Sequence, residues 1–170
     1  MFLLRDPVRS VPALPLAIVS PIHGIVTDIS DVEDARLSRS AKRIRVKMSF
    51  NDIYSLRSPI EGKVIEQWSL RPGKSSQRYQ FDYWIQTDEG DDVVMTVSFR
   101  RYVKNCRIYL QSGERIGHGQ RCGFLYFGGI VDIYVPTNSR IDIQSGNEVD
   151  AGSSILAHFV HTRAVSTITD

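Results

Sequence analysis

Apolar and polar residues alternate with a period of two along much of this chain. Residues 43–50 (RIRVKMSF) carry an apolar side chain at every second position, and residues 79–87 and 92–103 behave similarly on either side of the turn sequence DEGD. Strand side chains point alternately to two faces, whereas helices repeat apolar positions every three or four residues, and few windows here do so. The pattern predicts a mostly antiparallel all-β fold with few short helices.

Two short phrases occur twice in the sequence. SPIHGIV (20–26) returns as SPIEGKV (58–64), and QSGERIGHG (111–119) returns as QSGNEVDAG (144–152). In the first phrase, proline starts a strand without needing a donor, and glycine then permits a tight bend. The repeats predict corresponding corners of a pseudo-symmetric structure, and they resemble the turns of lipoyl- and biotinyl-type barrel-sandwich hybrids. Because no Met-Lys-Met or Asp-Lys-Ala hairpin is present, we do not expect a swinging-arm carrier.

The length and the net charge of the chain limit the classes of protein to which it can belong. The 170 residues fit a single domain, with an N-terminal arm (1–18) and a flexible tail (162–170). The net charge of +2 does not predict a nucleic-acid partner. Residues 36–47 are locally basic, and we interpret them as a solvated edge strand, with an anion site as the alternative.

Cysteine usage and the opening segment indicate a compartment. The two cysteines, Cys106 and Cys122, do not have the spacing of a metal site. The apolar start of the chain is interrupted by Pro7, Pro12 and Pro15, which exclude a membrane-spanning helix there. We predict a cytoplasmic protein with free thiols that makes at most peripheral contact with a membrane surface.

Six segments carry motifs found together in one enzyme family. They are FLLRDPVRSVP (2–12), VSPIHGIV (19–26), MSFNDIYSLRSPIEGKV (48–64), SFRRYV (98–103), GERIGHGQRCGFLYFGGIVDIYVP (113–136) and SGNEVDAGSSILA (145–157). In this order they resemble the short form of phosphatidylserine decarboxylase. The most specific motif is FG-x-x-V-D-x-Y-x-P, and the likeness covers most of the chain.

The resemblance implies a particular chemistry, which this sequence lacks. Members of that family are made as proenzymes in which the serine of a Gly-Ser pair attacks the preceding carbonyl and becomes a pyruvoyl cofactor, with an aspartate and a histidine activating it. The aspartate position is His23 here, the histidine positions fall on Tyr54 and Arg57, and the serine is Gly129. Glycine has no hydroxyl, so the resemblance predicts no self-cleavage, no pyruvoyl group and no catalytic residues at these positions.

We expect the former active site to persist as a binding pocket. Its predicted lining residues are His23, Tyr54, Arg57, Gly128 and Gly129. Arginine can bind a phosphate or carboxylate through a bidentate fork, and glycine amides leave room for backbone contact with an anion. The predicted ligand is a phospholipid headgroup or a small anionic metabolite. The alternative for Arg57 is a purely structural ion pair with Asp52 or Glu61.

A protein-interaction function is a second hypothesis. The scaffold would then bind a biosynthetic enzyme or form a homodimer. Tyr79, Phe81 and Tyr83 share one face of the predicted strand 79–87, and such an aromatic face serves either core packing or an interface.

A third hypothesis is an enzyme with different chemistry. His23 would act as a base beside Tyr54 or Asp52 in a lyase or hydrolase, although no Gly-x-Ser-x-Gly, Walker or His-Glu-x-x-His motif supports this. The spacing of the other histidines, His118, His158 and His161, does not indicate a metal site, so we predict none.

Overall fold

The computed structural model describes residues 16–48, 54–71, 73, 77–100 and 106–161. The predicted tail and most of the predicted arm lie outside these ranges. The first strand, β1, begins at Ala17 and so takes in the last two residues assigned to the arm.

The described part of the chain forms fourteen strands. They are β1 (Ala17–Val19), β2 (Gly24–Asp34), β3 (Arg39–Met48), β4 (Ser55–Arg57), β5 (Gly62–Leu70), β6 (Arg78–Gln86), β7 (Asp92–Arg100), β8 (Cys106–Ile108), β9 (Arg115–Ile116), β10 (Arg121–Leu125), β11 (Gly129–Pro136), β12 (Arg140–Ile141), β13 (Glu148–Val149) and β14 (Ile155–His158). Every described pairing is antiparallel. The all-β prediction is confirmed, while none of the few expected short helices occurs in the described ranges.

The strands form one large sheet and two small ones. The eight-stranded sheet has the order β13-β2-β3-β11-β7-β6-β5-β9, and the three-stranded sheets are β1-β14-β12 and β4-β10-β8. In the large sheet, the half β13-β2-β3-β11 corresponds to the half β9-β5-β6-β7, each read from its outer edge to the centre. The small sheet β1-β14-β12 corresponds in the same way to β4-β10-β8. The seven strands β4 to β10, which are consecutive in the chain, therefore repeat the unit formed by β1 to β3 and β11 to β14. The second unit is inserted between β3 and β11 of the first.

The doubled SPI phrases occupy equivalent corners of the two units. The hydroxyl of Ser20 donates to the carbonyl of Ile22, and that of Ser58 donates to the carbonyl of Ile60, both at 2.7 Å. Both serines are fully buried. Each hydroxyl therefore satisfies a carbonyl in a bend that is closed to water.

The glycines of these phrases are required by a close approach of the backbone. A Cβ at Gly24 would lie 2.2 Å from the carbonyl oxygen of Lys47, and one at Gly62 would lie 2.2 Å from that of Gln86. The obstacle is backbone on the neighbouring strand, so it cannot rotate away. Only glycine fits at the start of β2 and β5.

The QSG phrases form the turns that cover these corners, in crossed order. The turn at 144–152 binds the first SPI phrase, and the turn at 111–119 binds the second. The amide-to-carbonyl bonds are Gly146 to Val26 (2.6 Å), Gly152 to Ser20 (2.7 Å), Gly113 to Val64 (2.7 Å) and Gly119 to Ser58 (3.0 Å). Each of these hydrogen bonds in one unit thus has an equivalent in the other, as the predicted pseudo-symmetry requires.

One hydrophobic core runs beneath both units. It includes the aromatic face of β6, where Tyr83 is 5% exposed and Tyr79 and Phe81 stack on Phe99 with ring centroids 5.4 and 6.0 Å apart. Tyr83 lies in the core, and Tyr79 and Phe81 pack against it while remaining partly exposed, so this face contributes to core packing.

The interpretation of the basic run as an edge strand is wrong. β3 lies between β2 and β11, and its arginines pair with carboxylates of other strands. Arg45 binds Asp132 through two hydrogen bonds, and Arg36, in the turn before β3, binds Asp82. Both aspartates are buried, at 5% and 2% exposure, so Arg45 and Arg36 neutralise buried charge, while Lys47 remains exposed.

Candidate functional site

Gly128 and Gly129 lie where the chain returns from the inserted unit to the first one. β10 ends at Leu125, β11 begins at Gly129, and Gly129 pairs with Met48 at the end of β3. Phe127 and Gly128 between these strands have φ angles of +59° and +94°. A left-handed phenylalanine is unusual and strained, so this link is held by its surroundings.

A side chain at position 129 would enter space that Leu125 fills. A Cβ built there lies 2.6 Å from Cδ2 and 3.1 Å from Cγ of Leu125, which is 1% exposed. Real Cβ atoms do not approach that closely, so any larger residue requires the leucine to move within a packed core.

Tyr54 packs beneath the same junction. Its carbonyl accepts a hydrogen bond from the amide of Leu125 at 2.8 Å, and its ring lies 5.5 Å from that of Tyr126 and 5.6 Å from that of Phe127. Tyr54 is 2% exposed, whereas Phe127 is 39% exposed. Tyr54 is therefore part of the core under the junction, and the exposed aromatic surface belongs to Phe127.

His23 lies at a different corner, beside the turn of the second QSG phrase. Its Nδ1 is 2.7 Å from Oδ1 of Asp150, and the two side chains are 30% and 41% exposed. The imidazole and the carboxylate thus lie side by side at the surface of this corner.

Arg57 lies between the two units. Its Nη1 donates to the carbonyl of Gly119 at 3.0 Å, and a Cβ at Gly152 would lie 2.6 Å from its Cδ. Its backbone amide donates to Pro21 of the other unit at 2.8 Å. Of the two predicted partners for an ion pair, Asp52 lies outside the described residues, and the hydrogen bond to Gly119 ties the guanidinium to the turn at 117–120.

The predicted site residues thus fall into two groups. His23 and Arg57 both contact the turn 150–152, while Tyr54 forms the junction together with the glycine pair 128–129. Tyr54 precedes β4 and Arg57 is its last residue, so the two lie three residues apart, which is about 10 Å along an extended strand. The sequence did not identify Leu125 or Asp150 as site residues. The QSG repeat marks the turn that carries Asp150, and nothing in the sequence marks the leucine.

The other histidines have separate partners. His118 lies 3.0 Å from the carbonyl of Ala17, and His158 pairs with Asp142. Among the described residues, the group that has the spacing of metal ligands is Glu89, Asp91 and His161.

The hydrogen bonds of His161 explain that group without an ion. Its Nε2 is 2.7 Å from Asp91 and its Nδ1 is 3.2 Å from Glu89. Both ring nitrogens already face carboxylate oxygens, so contacts within the protein account for the arrangement.

Neither cysteine is suited to nucleophilic chemistry. Burial raises the pKa of both thiols, Cys106 and Cys122, to about 12. The register of β8 and β10 places Cys106 opposite Leu125, three residues along from Cys122, which is too far for a disulfide. Both remain protonated thiols at neutral pH.

The fold and the junction together define an all-β protein of two interlocked pseudo-symmetric units linked through a glycine pair. The model of the phosphatidylserine decarboxylase family matches residues 1–157. The chain belongs to this family.

Curated relatives agree with this assignment. The chain is similar to the phosphatidylserine decarboxylase proenzyme of Nitrosomonas eutropha, with 33% identity over 163 residues, which cover 91% of this chain and 76% of the relative. The proenzyme of Nitrosomonas europaea is 32% identical with the same coverage, and that of Burkholderia cenocepacia is 33% identical over 90% of this chain and 75% of the relative. No solved structure matches the chain significantly. In the described ranges, no helix has the length and hydropathy to cross a bilayer.

Proposed function

We propose that this chain is a non-catalytic member of the phosphatidylserine decarboxylase family that forms no pyruvoyl group. The observation that carries the proposal is the junction at residues 128–129. Glycine stands where the family resemblance places the self-cleaving serine, and Leu125 fills the space that a side chain would take. Without a hydroxyl no acyl shift starts, no ester forms and no ketone can arise from residue 129.

Other serines lack the position for the same reaction. Gly152-Ser153 is the nearest imitation of the family's pair, and it lies in the turn between β13 and β14. There the amide of Ser153 donates to the carbonyl of Asp150 at 3.3 Å. A turn serine of this kind serves the local backbone.

The retained function that we propose is binding of an anionic group at the corner of His23 and Arg57. A guanidinium and an imidazole lie on either side of the turn 150–152, so a phosphate or carboxylate placed there can accept hydrogen bonds from the cationic Arg57 and from the His23 ring. The phosphate of a phospholipid headgroup is the ligand that the family suggests, and a small anionic metabolite is the other candidate.

The test has two arms. Intact-protein mass after expression should show an uncut chain near 19.3 kDa, while the Nitrosomonas eutropha relative serves as the comparison protein. Calorimetric titration with phosphatidylserine, phosphatidylethanolamine and glycerophosphate should show saturable binding that Arg57→Gln weakens. Two fragments, the smaller blocked at its N-terminus, would refute the first arm, and absence of binding by all three would refute the second.

The His23–Asp150 pair favours a second candidate, an enzyme with a relocated base. An imidazole oriented by a carboxylate at 2.7 Å is the base-and-orienter half of a hydrolytic site. Tyr54, which the sequence suggested as its neighbour, is buried in the core and is not available as a nucleophile. Turnover of a hydrolase or lyase substrate by the wild type, together with loss of that turnover in His23→Asn, would support this candidate.

The exposed, strained Phe127 favours a protein-interaction candidate. It presents an aromatic ring at the junction, where a partner enzyme or a second copy could cover it. If Phe127 lies in such an interface, light scattering should give different molar masses for the assemblies formed by the wild type and by Phe127→Ser.

A further inference from the structure

A polar cleft of about 340 Å³ lies on the face of the large sheet that is turned away from the core. On β11 the core takes Val131 and Ile133, so Asp132 between them points to the opposite face. On β7 the core takes Met95 and Val97, so Thr96 also points there. The volume lies at the lower end of the range for small-molecule sites.

The strand register places the polar groups of the cleft in two adjacent rows. Arg45, Asp132 and Thr96 are consecutive partners across β3, β11 and β7. In the next row, Ser98 and Gln80 are partners across β7 and β6. Neighbouring strands are about 4.8 Å apart, so each row presents adjoining hydrogen-bonding groups to one small molecule.

Donors and acceptors in the cleft have fixed directions. Arg45 uses Nε and Nη2 to bind both oxygens of Asp132, at 2.8 and 2.9 Å, which leaves three of its five N–H groups pointing beyond that carboxylate. The amide nitrogen of Gln80 donates to Asp82 at 3.1 Å, so its carbonyl oxygen is turned the other way. Arg78 adds a second guanidinium to the lining.

Three of the polar side chains in the cleft have apolar counterparts in the other unit. Gly24 faces the carbonyl of Lys47 and Gly62 faces that of Gln86, so Lys47 on β3 and Gln86 on β6 occupy equivalent positions in the two units. Counting residues along the paired strands from these two positions gives the counterpart of each cleft residue in the other unit. Gln80, Ser98 and Asp132 correspond to Ala41, Pro136 and Val94. Gln80 and Ser98 in the inserted unit, and Asp132 in the first unit, are therefore polar at positions where the other unit has an apolar residue.

We propose that this cleft binds a small hydroxylated organic anion. The guanidinium groups of Arg45 and Arg78 receive the carboxylate or phosphate, Gln80 and Ser98 bind hydroxyl groups, and the exposed side chain of Leu70 covers the carbon skeleton. The site shares no residue with the corner of His23 and Arg57, so it stands whether or not that corner binds a headgroup.

The experiment is a titration of the ¹⁵N-labelled full chain with D-glycerate, followed by amide chemical shifts. Saturable shifts should appear at Thr96, Ser98 and Ile130. Acetate, which lacks hydroxyl groups, should bind at the same amides more weakly, and glycerol, which lacks charge, should not bind.

Two cleft variants and one control make the result specific. Arg78→Gln should weaken glycerate binding at least about tenfold, because a charge-assisted hydrogen bond is lost. Ser98→Ala should weaken glycerate binding and leave acetate binding unchanged. Arg115→Gln, which removes an exposed arginine on β9, should have no effect.

Three outcomes would overturn the proposal. They are no saturable shift with glycerate, shifts confined to the turn 150–152, and binding that Arg78→Gln leaves unchanged. Shifts at that turn would instead support anion binding by His23 and Arg57. The folded amide spectrum of each variant shows that a loss of binding is not a loss of structure.

Discussion

Replacing Gly129 with serine restores the hydroxyl group and, at the same time, forces a Cβ against Leu125. The new atom would lie 2.6 Å from Cδ2 of a leucine that is 1% exposed, so the leucine must change rotamer inside the core. Overpacking of this kind costs about 1–3 kcal/mol. The φ angle of residue 129 is not in the left-handed region, so removing glycine from the unfolded chain returns about 0.5–1 kcal/mol.

From the middle of each range, the expected net loss for Gly129→Ser is about 1 kcal/mol, which corresponds to a fall in Tm of roughly 2–4 °C for a chain of this size. Gly129→Ala has the same steric effect without the hydroxyl group and should lose the same amount. We further expect Gly129→Ser to remain a single uncut chain, because the family's aspartate position is His23 and the serine is held against Leu125.

A double-mutant cycle isolates the contact. Leu125→Ala alone should cost about 2–5 kcal/mol through the cavity that it leaves. If the two side chains compete for one space, Gly129→Ser in that background should cost at least about 1 kcal/mol less than in the wild type. Urea unfolding monitored by tryptophan fluorescence supplies the free energies. An additive cycle, or a Gly129→Ser variant as stable as the wild type, would show that the leucine does not fill this space.

Three further predictions concern the scaffold. Gly62→Ala should cost at least about 2 kcal/mol in the same unfolding assay, because its Cβ meets a backbone carbonyl, whereas Gly73→Ala, with open space around it, should cost less than about 0.5 kcal/mol. Arg45→Met leaves the buried carboxylate of Asp132 without its two hydrogen bonds and should cost about 2 kcal/mol in the same unfolding assay, and a variant as stable as the wild type would contradict this. The pKa of Cys106 and Cys122 is raised to about 12 in the folded protein, so the neutral thiols contribute their full stabilisation below pH 9, and the free energy of unfolding should fall between pH 9 and 12. Labelling of the native protein with iodoacetamide at pH 8, followed by mass spectrometry, should be slow. Rapid labelling would contradict the burial of the thiols.

The sequence predicted the fold class and its pseudo-symmetry because both depend on local patterns. Alternation identifies strands, and the repeated SPI and QSG phrases identify equivalent corners. It could not predict that the turn at 144–152 covers the first SPI phrase and that at 111–119 the second, since partners more than 50 residues apart are chosen by tertiary packing. The basic run was assigned to an edge for the same reason: the carboxylates that neutralise it, Asp82 and Asp132, are on strands distant in sequence.

The candidate site, like the fold, could be predicted from the sequence only where a local motif specifies it. Gly129 was identified because a motif fixes its position, and the absence of a hydroxyl group follows from the residue type alone. That Leu125 occupies the vacated space depends on the return of the chain from β10 to β11, which no local pattern specifies. His23 and Arg57 were assigned to one pocket with Tyr54, but the corner and the junction are separate because β4 lies between them.

The separation of the junction from the repeated corners explains how the family's chemistry can be lost without loss of the fold. The bends of both units depend on buried serine hydroxyl groups, on glycines that admit a neighbouring carbonyl, and on turn amides. Residue 129 contributes to the fold through the backbone pairing of β11 with β3, which does not depend on its side chain. A glycine at residue 129, which the proposal makes the reason for the absence of self-cleavage, therefore leaves the hydrogen bonds that join the two units unchanged.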